Sequence, residues 1–252
     1  MFSSEEIDKL RGETKGVANL IHFNNAGSAL PPDVVRNAVV NYLEEEMTQG
    51  GYETREKYGE AFDGAYASIA TFLNASAQEI AIMENATAAW QAGFHAIDWR
   101  DGDEILISRA AYSSYYLSYL HLQRKVDLKV KMVRNDEHGQ VDVNALEAAI
   151  GPKTKAIALG HIPTISGLVS PAMEVGEVAR RHNLIYMLDA CQSAGQVPLD
   201  VKALGCDLLS ATGRKYVRGP RGTGFLYASD RLRDQLMPAV VDLHSAHWTS
   251  TH

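Results

Sequence analysis

One stretch groups several residues able to do chemistry: Thr212-Gly213-Arg214-Lys215-Tyr216-Val217-Arg218-Gly219-Pro220-Arg221-Gly222-Thr223-Gly224, directly after the apolar run Asp207–Ser210. A lysine set beside a hydroxyl and an arginine, ahead of a glycine-rich turn, can be desolvated and close to a phosphate at once. Desolvation and neighbouring cations lower an amine's pKa, and a neutral amine condenses with an aldehyde. A solvated basic turn, with Lys215, Arg214, Arg218 and Arg221 all in water, would read the same way. Asp189, in Asp189-Ala190-Cys191-Gln192-Ser193-Ala194-Gly195, follows the apolar run Leu184–Leu188. Ligands of open α/β sheets bind at such strand ends, where a carboxylate needs a cation such as a protonated pyridine nitrogen. Capping a helix is the other ordinary use of aspartate there. Asn85-Ala86-Thr87-Ala88-Ala89-Trp90 offers small residues and a hydroxyl at a helix start, which suits an anion such as phosphate, or simple capping by Asn85 or Thr87.

These residues need strands that end beside them. Short apolar runs rich in β-branched residues alternate with segments of helical period, the pattern of a mostly parallel sheet with helices on both faces. The runs predict seven strands, at Glu79–Met83, Glu104–Ile107, Leu128–Val133, Ala156–Gly160, Leu184–Leu188, Asp207–Ser210 and Thr223–Ala228. Those at Ala156–Gly160 and Leu184–Leu188 are apolar without alternation and are expected at the sheet centre. Tyr58, Phe62, Tyr66, Ile69 and Leu73 recur at steps of four, four, three and four, which predicts a helix over Glu56–Leu73 with a buried stripe. Asp33–Met47 and Met173–His182 show the same pattern. Pro31-Pro32 would open the first of these, with Asp33 at its positive end. Gly139 marks a turn ahead of a helix near Val143–Ile150.

The 252 residues, 46% hydrophobic and 22% charged, suit one large folded domain and exclude disorder, collagen-like repeats and a disulfide scaffold. A formal net charge of −7 supplies no basic field for nucleic acid or an anionic membrane. No run approaches the ~20 apolar residues of a membrane span, and the first residues carry no signal-peptide pattern. Cys191 and Cys206 lack metal-type spacing, fit a reduced cytoplasmic protein, and read as packing residues. The nine histidines show no ligand spacing, so no metal is expected. Tyr115, Tyr116 and Tyr119 read as helix packing, and Gly50-Gly51-Tyr52 as a surface turn. No Gly-x-Gly-x-x-Gly turn follows a predicted strand, which argues against a Rossmann nucleotide site.

In this order and spacing the three motifs resemble the class V aminotransferase family of fold-type I pyridoxal-phosphate enzymes, over about residues 20 to 235. The resemblance implies a three-layer α/β/α large domain with a mostly parallel seven-stranded sheet. It implies an N-terminal arm over 1–18, a pyridoxal-phosphate-binding domain over 19–236, and a tail over 237–252 leading toward a small C-terminal domain expected to be missing. Lys215 matches the lysine that forms the Schiff base with the cofactor and later moves the Cα proton. Asp189 matches the acid that keeps the pyridine nitrogen protonated, and Gln192 the residue that hydrogen-bonds the phenolic oxygen. Ala86, Thr87 and Thr212 match phosphate ligands, and Tyr112 falls where a histidine stacks on the ring. Asn25, Ala26 and Gly27, in Asn24-Asn25-Ala26-Gly27-Ser28, match the loop that approaches the substrate carboxylate. Family members usually form homodimers across the cofactor site.

Four departures sharpen the expectation. Arg214 replaces the motif histidine and can hold phosphate with its planar fork. Tyr112 replaces the stacking histidine, Thr164 replaces an asparagine of the desulfurases, and Arg218 is one extra residue before Gly219-Pro220. All four point away from cysteine desulfurases toward members resembling isopenicillin-N epimerase and the ergothioneine-type C–S lyases. The desulfurase route also needs a cysteine further downstream, which these residues lack. The expected activity is C–S lysis by β-elimination, or aminotransfer, on an amino acid. The alternative is a truncated large-domain fragment with little catalysis, serving as a cofactor- or partner-binding module.

Overall fold

A computed structural model describes residues 2–241 and 249. Its frame is one seven-stranded sheet built from β1 (Ile80–Met83), β2 (Glu104–Ile107), β3 (Lys129–Met132), β4 (Thr154–Gly160), β5 (Ile185–Asp189), β6 (Leu208–Thr212) and β7 (Gly224–Ala228). The spatial order is β1-β7-β6-β5-β4-β2-β3. Strands β2 to β6 pair in parallel, while β7 is antiparallel to both β6 and β1. Strand β1 therefore runs with β6, and the carboxyl ends of β1, β2, β4, β5 and β6 share one edge with the start of β7.

The continuous apolar runs of β4 and β5 lie at the centre because both their faces are covered. Ile157, Leu159, Tyr186 and Leu188 pack toward one face, under helices α7 (Val143–Ala148) and α8 (Ala172–Arg181), through Leu146, Val175 and Val178. Ala156, Ala158 and Met187 pack toward the other, under α5 (Ala86–Ala96) and α6 (Ser113–Leu122), through Trp90, Phe94, Tyr115 and Tyr119. This is the three-layer α/β/α arrangement.

Ahead of the sheet, α1 (Ser4–Gly12) opens on a reciprocal capping box between Ser3 and Glu6. It is followed by α2 (Asp33–Gln49), α3 (Gly51–Lys57) and α4 (Gly59–Leu73). The chain closes with α9 (Val201–Leu204) before β6 and α10 (Asp230–Arg233) after β7. The expected tail over 237–252 falls outside the described residues from 242 onward, apart from 249; Met237 still donates its N–H to Ala96 O.

Two helical expectations are corrected. The helix predicted over Glu56–Leu73 is two helices, broken at Tyr58, whose backbone (φ −95°, ψ 13°) leaves the helical region. Its stripe is not a core stripe, since Phe62 is 38% and Tyr66 37% exposed while Leu73 is fully buried. The reason is local: Tyr42 of α2 meets Tyr58 and Phe62 edge-on at 5.4 and 5.9 Å, and Glu45 accepts hydrogen bonds from Lys57 and Tyr58. The apolar period satisfies a neighbouring helix there, and only the end of α4 reaches the sheet. Helix α2, expected to bury a stripe, buries none of its residues among those described.

Candidate active site

The shared strand edge opens into a cleft of about 350 Å³. Strand β1 leads into Glu84, Asn85, Ala86 and Thr87; β2 leads to Tyr112; β4 to Thr164; β5 ends on Asp189 with Cys191 just beyond; β6 delivers Thr212, Arg214 and Lys215. Arg221 and Gly222 enter from the turn before β7.

Lys215 is 8% exposed, so the solvated basic turn is not what forms. Its ammonium has no hydrogen-bond or ion-pair partner among the described residues. Arg218 points elsewhere, donating from Nε to Leu30 O (3.1 Å) and from Nη2 to Thr14 Oγ1 (2.7 Å), which straps the N-terminal arm to this loop. The extra residue is absorbed by a tight turn. Arg218 takes the left-handed conformation (φ 63°), its N–H reaches Lys215 O, and Gly219 N–H reaches Gly213 O at 2.7 Å.

Asp189 caps no helix. Its Oδ1 accepts from Cys191 N–H at 2.9 Å, and the turn that follows carries Gln192 and Gly195. Burial pushes its carboxyl pKa up, while the Cys191 N–H and thiol and the Lys215 charge pull it back. A carboxylate so placed gains most from a cation close by. Gly195 (φ 84°) locks this turn against the lysine loop, because a Cβ there would lie 2.6 Å from Tyr216 C and O.

Asn85 caps α5, its Oδ1 accepting from Ala88 N–H at 2.9 Å and its carbonyl from Ala89 N–H. The amides of Ala86 and Thr87, the first of the helix and both on the cleft, are thereby left for an anion. Thr212 Oγ1 donates to Thr223 O (3.3 Å) and accepts from Arg214 Nη1 (3.4 Å), which brings the guanidinium to the same end.

Tyr112 precedes α6 with its ring 46% exposed, edge-on to Tyr115 at 5.7 Å. Gln192 is buried and stands off the main cleft. Its Nε2 donates to Thr164 Oγ1 (3.0 Å) and Ala26 O (3.1 Å), and its Oε1 has no partner among the described residues. Gln192, Thr164 and Ala26 together line a second cavity of about 250 Å³, so Thr164 is the side chain common to both spaces. Asn25 and Gly27 line neither cavity. Their loop is held nearby by Ala29 N–H donating to Arg214 O at 2.8 Å.

Tyr115 fills a role that its helical spacing hid. It is core packing, stacked on Trp90 at 3.9 Å, yet it also lines the cleft, with its hydroxyl 3.4 Å from Ser210 Oγ. Cys191 is likewise both packing and lining, and burial beside Asp189 holds its thiol pKa well up. Glu84, Arg221 and Gly222 are further lining residues not singled out from sequence. Tyr52 is almost fully exposed as expected, but in the first turn of α3 and not in a surface turn. Among the described residues no cluster of histidine, cysteine, aspartate or glutamate could hold a metal ion, and no helix is long and apolar enough to cross a membrane.

The lining chemistry fits pyridoxal phosphate: an unpaired buried amine for an aldehyde, an enclosed carboxyl for a ring nitrogen, and helix amides with an arginine for a dianionic phosphate.

Comparison with known proteins gives the same direction. A probable cysteine desulfurase of Methanothermobacter thermautotrophicus is 31% identical over 225 residues, covering 88% of this chain and 56% of that protein. The chain spans just over half the length of such curated relatives. Among solved structures, a lysine-to-alanine mutant of C-DES with glycine covalently linked to its pyridoxal-phosphate cofactor superposes with a TM-score of 0.87 at 25% identity, over 92% of this chain and 62% of that one. The cystine C–S lyase C-DES with its product cysteine persulfide gives 0.89 at 24% identity, over 94% and 64%, a likeness of fold. The sequence pattern of the family described as Aminotransferase class-V matches residues 21–251, and with the cleft built as above, the chain belongs to this family of pyridoxal-phosphate enzymes.

Proposed function

We propose that this chain carries pyridoxal phosphate on Lys215 and eliminates a sulfur substituent from the β-carbon of an amino acid. The observation that carries the reading is the placement of a buried, unpartnered lysine amine and an enclosed carboxyl on the wall of one cleft whose far end is cationic and lined by helix amides. In this reading the Ala86 and Thr87 amides, Thr212 and Arg214 hold the phosphate, and Asp189 holds the proton on the ring nitrogen. Tyr112 offers its ring face. Gln192 steadies Thr164 beside the phenolic oxygen, and the Asn25–Gly27 loop approaches the substrate carboxylate.

When bound, the cofactor supplies an aldehyde carbon for the substrate amine and a protonated ring that accepts the electron pair released at Cα. Lys215 is then placed to take the proton from the substrate Cα and to return one to the departing sulfur. Asp189, as a carboxylate, would hold that proton at the ring nitrogen, and the enclosed site would strengthen the ion pair. Cys191 itself does not suit a thiol relay. Cys191, the cysteine on the cleft, is buried with its pKa held up, whereas a nucleophilic cysteine needs thiolate character. The names of the relatives support sulfur chemistry on cysteine-like substrates.

The test is direct. The protein incubated with pyridoxal phosphate should be yellow, lose the visible band on borohydride, and release a thiol and a 2-oxo acid together from S-substituted cysteines. Lys215→Ala should form no borohydride-stable adduct, and an adduct persisting in that variant would overturn the assignment. Amino transfer to a 2-oxo acid without thiol release would replace elimination by transamination. Sedimentation of the same sample tests the expected homodimer.

A further inference from the structure

Three arginines follow one another in the lysine loop and its turn, and the functional reading uses only Arg214. Arg218 is spent on the N-terminal arm. Arg221 lines the cleft at its exposed rim, and it makes no hydrogen bond or ion pair with any described residue, although Glu84 and Asp189 line the same space. An arginine without a partner at the wall of a cleft is a standing invitation to an anion, because its fixed fork of donors is satisfied there only by water.

Its position says which end of the cleft it serves. The turn that carries it is pinned on three sides. Thr223 Oγ1 donates to Pro220 O at 2.7 Å and closes the turn on itself; Gly213 N–H donates to Thr223 O at 2.9 Å and fastens it to the lysine loop. Gly224 then packs backbone to backbone on the start of α5, so closely that a Cβ would lie 2.7 Å from Asn85 C and 2.8 Å from Ala211 O. Arg221 is thus carried by a stiff turn lodged between the Thr212–Arg214 segment and the first residues of α5. Those two segments are the ones offering helix amides, a hydroxyl and a guanidinium to a single anion.

We infer that Arg221 is a second guanidinium ligand for the phosphate of the cofactor, closing the anion end of the cleft from within this chain opposite Arg214. The inference rests on the cofactor reading given above. Two planar forks converging on one dianion would give the phosphate more donors than one arginine and one helix start supply, and would fix its orientation as well as its charge.

The experiment compares pyridoxal 5'-phosphate with pyridoxal, which shares the aldehyde and ring but lacks the phosphate. Dissociation constants are read from the visible absorbance titration of the wild type, Arg221→Gln and Arg221→Lys. Arg221→Gln should weaken pyridoxal 5'-phosphate about tenfold or more, as expected for losing a hydrogen bond from a charged group, and change pyridoxal less than about twofold. Arg221→Lys, which keeps the charge and loses the fork, should fall between. Equal losses for both aldehydes, or none for either, would overturn the inference. A wild type that gives no borohydride-sensitive band with either aldehyde would instead overturn the cofactor reading itself, so the two failures are distinct.

Discussion

Replacing Gly195 by alanine tests whether the acid turn and the lysine loop hold each other in place. Gly195 has φ 84°, in the left-handed region, and its missing Cβ would sit 2.6 Å from Tyr216 C and O and 2.7 Å from Val217 N. The backbone conformation costs an L-residue roughly 1–2 kcal/mol. The contacts are with main chain, which cannot rotate aside, and forcing a methyl into such a place costs about 1–3 kcal/mol. The expected destabilisation of Gly195→Ala is therefore about 2–5 kcal/mol, or roughly 4–20 °C in Tm for a chain of this size. Relief requires the Tyr216–Val217 backbone to retreat by about half an ångström, comparable to the tolerance of a catalytic constellation. Lys215, one residue away, moves with it. Thermal unfolding and the rate of borohydride-trapped adduct formation with pyridoxal phosphate should both fall. Gly64→Ala, in an exposed helix interior with nothing within 4 Å of the new methyl, should stabilise by about 0.5–1 kcal/mol and leave adduct formation alone. If Gly195→Ala matches the wild type in both assays, the two loops are not mutually supporting and the reasoning fails.

Other expectations follow from single contacts. Asp207 is buried and accepts from Arg231 Nε (2.9 Å) and Nη2 (2.6 Å), from Ser229 Oγ (3.0 Å) and from Tyr186 N–H (2.9 Å). Arg231→Ala should cost about 1.5–3 kcal/mol by denaturant titration, since a buried carboxylate loses two donors while two remain and the guanidinium itself is half exposed. Burial lowers the pKa of His161, whose unfolded form titrates near 6.5. The unfolded chain thus binds the extra proton first: no penalty exists well above pH 6.5, it grows as the pH falls through 6.5, and it is complete below the folded value. His161→Gln should flatten the slope of stability against pH in that window. Arg218→Ala removes the donors to Thr14 in the N-terminal arm and to Leu30 beyond it, so protease cleavage within residues 1–30 should quicken while the melting of the sheet domain changes little.

Much of the frame was legible because it is written in local chemistry. Each predicted strand overlaps an observed one, and the two runs without alternation are the central pair, as burial on both faces demands. Boundaries moved by a residue or two where the chain leaves the ladder. The helical stripes were harder, since a period of 3.6 states that a face is apolar but not what covers it. Tyr58, Phe62 and Tyr66 had the right spacing, yet Tyr58 and Phe62 met a neighbouring helix instead of the sheet and Tyr66 stayed partly exposed. The cleft divided in the same way. Asp189 and Thr212 end strands, Lys215 and Thr87 come shortly after them, and all four were readable as strand-end residues. Tyr115 was hidden because a tyrosine on a buried helical face already has a sufficient explanation. Arg221 precedes its strand, and nothing local says that β7 runs backwards.

That reversal is what shapes the site. In a wholly parallel sheet the turn before a strand lies at the edge opposite the ligand. Here β7 is inserted antiparallel between β6 and β1, so its leading turn arrives at the edge where β1, β5 and β6 end. Adjacent strands are spaced by about 4.8 Å, which puts the Asp189 strand and the anion end, spread over β6, β7 and β1, on neighbouring but separate ground. Lys215 leaves β6 between them. A ligand with a cationic ring at one end, a phosphate at the other and a carbonyl between matches that order of strands. The strand order, more than any one motif, therefore sets Asp189, Lys215 and the proposed anion-binding residues in sequence across the cleft.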